Sequence, residues 1–156
     1  MNPVVFDEIV AKLIARQPLP PLTPTQPFDV TLSHIIRNAN LPALVTCGLL
    51  IWNDDIPAAH PIAQEIENDS GSYWHAIVHR REGDFANAKY WFRRTGPHPV
   101  LAELTSVPEA KPFTKVDVLD GAAFVDACER AKRDQRDEAL RALQVAEIQV
   151  LLKHCT

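Results

Sequence analysis

The chain has 156 residues, 46% hydrophobic and 23% charged, with a formal net charge of −4. That length suffices for one hydrophobic core, and the acidic balance argues against a general nucleic-acid binder. Three cysteines (Cys47, Cys128, Cys155), odd in number and without CxxC spacing, argue against a disulfide framework or a zinc knuckle and fit a reducing cytoplasm.

No basic region precedes the first apolar residues, so no signal peptide is expected. Leu41 to Trp52, interrupted by Pro42 and Thr46, is too short to span a bilayer. The apolar residues Val5, Phe6, Ile9, Val10, Leu13 and Ile14 repeat at helical spacing and predict a helix from Val4 to Ala15. Five prolines in the 17–29 segment make it an extended connector, and Leu19, Leu22 and Phe28 suggest that it packs along the body. Helices are expected at Thr31 to Arg37 and Pro42 to Trp52. Another should carry Ile56, Ala59, Ile62 and Ile66, with its start displaced toward Pro61 because proline disrupts a helix interior.

Ser72 is the expected cap of a helix from Tyr73 to Glu82. Gly83-Asp84 is read as a turn and Phe85 to Arg94 as the next helix, stopped by Gly96-Pro97. His98 to Val107 reads as helical, Pro108 to Pro112 as a break and Phe113 to Val118 as ambiguous. Two more helices run from about Gly121 to Arg133 and from Asp134 to His154. No alternating strand pattern stands out, so the expectation is a single all-α domain over 1–156.

Two segments echo each other at an offset of 29: Trp52-Asn53-Asp54-Asp55-Ile56-Pro57-Ala58-Ala59 and Arg81-Glu82-Gly83-Asp84-Phe85-Ala86-Asn87-Ala88. Each runs helix, polar turn with Asp, apolar residue, then Ala three positions on. Gly83-Asp84-Phe85 with Ala88, Phe92 and Pro97 or Pro99 resembles the second-helix signature of tetratricopeptide and Sel1-like repeats. The resemblance covers about 43–99 and implies tetratricopeptide-like helical hairpins, closed by flanking terminal helices. Tyr73-Trp74-His75 with His79-Arg80-Arg81-Glu82 is also similar to a segment of an uncharacterised family of bacterial and fungal proteins, a likeness that implies no particular activity.

The 71–94 segment concentrates the reactive side chains. Taking 100° per residue and His75 as zero, His79 falls at about 40° and Glu82 at about −20°, so the three share a stripe. Trp74, Ile77 and Val78 form the face expected to pack, leaving that stripe to project outward. Three readings follow. Imidazoles at i and i+4 with a carboxylate a turn later offer a divalent metal the ligands His75, His79 and Glu82, with His60 or His98 as a further ligand; no other cofactor is implied. Ala76 stands where zinc proteases carry glutamate, so their chemistry is absent.

In the second reading Arg80, Arg81, Arg93 and Arg94 converge with His75, His79 and Glu82 on an anionic small molecule or an acidic partner segment, against a wall of Trp74, Tyr90 and Trp91. The third is structural: ion pairs tie the hairpin together and the aromatics fill the core. The density of polar groups favours a site. A helical binding module is the leading functional expectation, and a metal-dependent hydrolase its alternative. Glu147 is a further residue that the last helix could turn toward it.

Overall fold

The computed structural model describes residues 1–134 and 137–156, with the backbone alone at 134. Nine α-helices are found among the described residues: α1 Pro3–Ala15, α2 Val30–Asn38, α3 Ala43–Trp52, α4 Ile56–Glu65, α5 Asp69–Glu82, α6 Phe85–Thr95, α7 Pro99–Glu103, α8 Gly121–Asp134 and α9 Glu138–Cys155. The all-α expectation is met. Two 3₁₀ turns, Leu104–Ser106 and Pro108–Phe113, and a hairpin of β1 Thr114–Lys115 with β2 Val118–Leu119 separate α7 from α8. That hairpin was illegible as alternation because each strand is two residues long and the turn between them places Val116 and Asp117 at φ 49° and 63°.

The core is one continuous cluster drawn from every long helix. It includes Ile9 and Leu13 of α1, Leu32 and Ile36 of α2, Leu49 and Leu50 of α3, Trp74 and Ile77 of α5, Phe124 of α8 and Leu151 of α9. α5 lies at its centre, flanked by α4 and α6. The connector packs as expected, with Leu22 buried; Phe28 lies under the Arg16 guanidinium at 4.1 Å.

Three boundaries differ from expectation. α4 begins at Ile56, ahead of Pro61, because the Asp55 carboxylate accepts from the Ala58 amide and holds the first turn, while Ala59 and Ala63 bury its inner face. The missing Pro61 donor forfeits one bond, which that packing offsets. α5 begins three residues before Ser72, capped by Asn68, whose side-chain oxygen accepts from the Gly71 amide at 2.8 Å. Gly71 is obligatory there, since a Cβ would stand 2.3 Å from the Ile66 carbonyl oxygen. Asp134, the expected start of the last helix, instead closes α8, and the last helix opens at Glu138; 135–136 lie outside the described residues.

The echo at offset 29 is a repeated turn. Amides of Asp54 and Asp55 donate to the carbonyls of Ile51 and Leu50, and those of Gly83 and Asp84 to Arg80 and His79. Both are Schellman endings with a left-handed residue, Asp54 at φ 62° and Gly83 at φ 79°. Asp55 and Asp84 then cap the following helices, and Ala59 and Ala88 are fully buried one turn later. The two hairpins α3–α4 and α5–α6 therefore share their turn bond for bond.

No helix among the described residues is long and apolar enough to cross a membrane.

Candidate metal centre

α5 pairs with α4 on one side and α6 on the other, so the His75–His79 stripe faces a neighbour and does not open outward. α4 contributes His60 and α6 contributes Trp91. The three imidazoles His60, His75 and His79 form a near-equilateral triangle, with ring centroids 5.0, 4.9 and 4.8 Å apart. One ligand nitrogen from each lies within 4.8 Å of the others. Nε2 of His75 stands 3.1 Å from Nε2 of His60. The half-buried Trp91 indole stacks on His75, centroids 4.0 Å apart.

Sequence reasoning expected Glu82 as the third ligand. In the structure Glu82 stands behind His60, one carboxylate oxygen 2.6 Å from its Nδ1 and the other 3.5 Å from Nδ1 of His79. Asp84 adds a carboxylate 3.4 Å from the same His79 nitrogen. Neither approach to His79 has hydrogen-bond geometry, and Nδ1 of both His75 and His79 is buried without a hydrogen-bond partner.

His75 is 4% exposed. Burial, with added repulsion from His79 and His60, pushes its pKa down to about 4, so the ring is neutral at pH 7 with a lone pair to offer. Burial likewise lowers His79, aided by His60 and opposed by Glu82 and Asp84. The opening is on the side of His60 and Glu82, which keep 26% and 32% of their side-chain surface.

The arginines do not converge on this group. Arg80 is buried among α8 and α9, its Nη2 2.7 Å from Glu147 and 3.3 Å from Gln144, with the guanidinium 4.4 Å from the Phe124 centroid. Glu147 is fully buried and also accepts the Tyr73 hydroxyl at 3.0 Å. Arg81 turns the other way: Nη2 meets Asp54 at 2.5 Å and the Pro21 carbonyl at 2.9 Å, and Nη1 donates to Ile51. Arg16 takes the second Asp54 oxygen at 2.7 Å. Trp74 is fully buried in the core, and Tyr90 is exposed on the outer side of α6. Arg93 and Arg94 are exposed, the Arg94 guanidinium 5.5 Å from the Trp91 centroid.

His98 joins neither group. Its Nδ1 accepts the Val100 amide at 3.3 Å and caps α7, which leaves the proton on Nε2 for Ser70 Oγ at 2.9 Å. Of His60 and His98, the two offered by the sequence as a further ligand, His60 is the one that joins the imidazoles. Its only signal was its presence on the helix that precedes α5, and antiparallel pairing brings that helix back across the stripe.

No protein-family model, curated protein or solved structure matches this chain.

Proposed function

We propose that the protein binds one divalent transition-metal ion, zinc foremost, through His60, His75 and His79, and uses it in a hydrolytic reaction. The triangle of imidazoles carries this reading. Two nitrogens bound at the usual zinc–imidazole length to a tetrahedral ion stand about 3.3 Å apart, with ring centroids at about 5 Å. The 3.1 Å nitrogen separation and the 4.8 to 5.0 Å centroid separations already lie near those values. Glu82 on His60 Nδ1 is the carboxylate–imidazole arrangement that fixes a ligand tautomer and strengthens the opposite nitrogen as a donor.

Three protein ligands leave a fourth position, which is the hallmark of catalytic and not structural zinc. The ion would supply Lewis acidity and lower the pKa of water beside it. Asp84 and Glu82, 3.4 and 3.5 Å from His79, are the carboxylates placed to hold or move a proton at the rim. Trp91 covers one face of His75.

The scaffold is proposed to be a pair of tetratricopeptide-type hairpins, a reading supported by the shared Schellman turn and the buried alanines. An anion-binding module remains a second reading only at Arg94 and Trp91, where an exposed guanidinium lies over an indole. Elemental analysis tests the leading reading. Protein purified and then dialysed against zinc is expected to retain about one ion per chain, and His60→Ala, His75→Ala and His79→Ala each to lose it. Retention of metal in all three variants, or none in the parent, overturns it.

A further inference from the structure

About one helical turn from the triad lies a cleft of about 440 Å³, within the size range of small-molecule sites. Gln64 stands one turn past His60 on α4, and Ser72 nearly one turn before His75 on α5, so the cleft lies next to the triad along these two helices. Trp91 belongs to both: its indole stacks on His75 and also lines the cleft. Glu67 and Asp69, from the α4–α5 junction, line the cleft together with Arg94 at the end of α6. All three are exposed, and none of them forms an ion pair among the described residues.

Unpaired charges of both signs facing one concave space select a ligand that carries both. A dianion would meet Glu67 and Asp69, and a plain cation would meet Arg94. We propose that this cleft is the ligand pocket of the centre and takes a zwitterion of amino-acid to dipeptide size. Its carboxylate seats on Arg94, its ammonium faces Glu67 and Asp69, and its body lies against Trp91. Arg94 suits the role because a guanidinium holds a carboxylate through two parallel bonds, and because the indole beneath it limits its freedom. Capture of the zwitterion stands on the cleft alone; only its hydrolysis rests on the metal reading above.

The test is calorimetric titration of glycylglycine into the zinc-treated chain, beside glycylglycine amide and N-acetylglycylglycine, which lack one charge each. Glycylglycine is expected to bind, and removal of either charge to weaken binding at least tenfold. Arg94→Ala should weaken glycylglycine equally, Arg94→Lys should restore part of the loss, and Glu67→Gln with Asp69→Asn should erase the preference for the free ammonium. These are exposed positions, so unchanged thermal melts will show that the variants are folded. Equal binding of all three probes, or of glycylglycine to the parent and Arg94→Ala, overturns the assignment, as does the absence of any heat. Zinc uptake without glycylglycine binding sinks the cleft and leaves the metal centre standing. Arg94-dependent binding without zinc uptake does the reverse.

Discussion

α5 presents two polar groups that obey different rules. On the sides of Arg80 and Arg81, each guanidinium is buried and meets a buried carboxylate, Glu147 or Asp54, with carbonyls or amides taking further donors. On the side of His75 and His79, the imidazoles press on one another and on His60 with no buried carboxylate among them; Nδ1 of His75 and His79 makes no hydrogen bond, as is also true of Nε of Arg80 and Arg81, so the two sides differ in counter-charge and not in bond count. Buried charge is tolerated where it is matched, and the matched group is a fastener. Like groups packed against one another without a buried counter-charge keep nitrogens for a ligand, and in a half-open place such a group is a candidate binding site. The same helix therefore carries a clasp and a candidate site, and composition alone does not separate them.

The largest expected effect comes from breaking the clasp. Asp54→Asn leaves Arg16 and Arg81 buried without their shared counter-charge, and should cost about 3–5 kcal/mol in denaturant unfolding. That variant should still take up zinc below its unfolding midpoint. A loss under about 1 kcal/mol would show that the clasp is loose enough for its arginines to serve elsewhere.

Glu82→Gln probes the other side. Metal affinity should fall by about 10–100-fold, because the His60 tautomer loses its anchor, while stability without metal should hardly move. Competition with a chelating dye measures the first and a thermal melt the second. Unchanged affinity would remove Glu82 from the centre.

Acid should act on the histidine side in a defined window. The unfolded chain protonates His75 near 6.5, but the folded chain resists until about 4. Between those values the unfolded state holds the extra proton, so stability of the metal-free protein should fall as pH drops from 6.5 toward 4. Urea midpoints across that range should flatten in His75→Gln relative to the parent. An unchanged slope would mean that His75 is solvated.

The smallest effect expected is at the turns. Gly83→Ala places a Cβ at φ 79° and should cost about 1 kcal/mol, whereas Asp54, its counterpart in the echo, already bears a side chain there. That penalty at Asp54 is compensated by the two guanidinium groups its carboxylate holds.

Much of the secondary structure was legible because it rests on local rules. Helical spacing in α1, the Gly83-Asp84 turn, the Gly96-Pro97 stop and the repeated turn all depend on residues a few positions apart. The α4 start was misread because a proline rule outweighed the Asp55 cap. Helical phase also put His75, His79 and Glu82 along one stripe, and they do stay together. What phase could not supply was the neighbour. Reading α5 as half-exposed assumed that one face packs, yet nearly its whole circumference is buried.

The residues of this chain, taken alone, determine where its helices begin and end and which side chains share a face, since those depend on backbone sterics and nearby hydrogen bonds. Folding in three dimensions decided the partners. Arg80 met Glu147 across 67 residues, Arg81 met Asp54 across 27, and His60 crossed over to complete a triangle of imidazoles. Burial energies act on the assembled core and not on any short segment, so the roles of these polar side chains emerge only once the helices are packed.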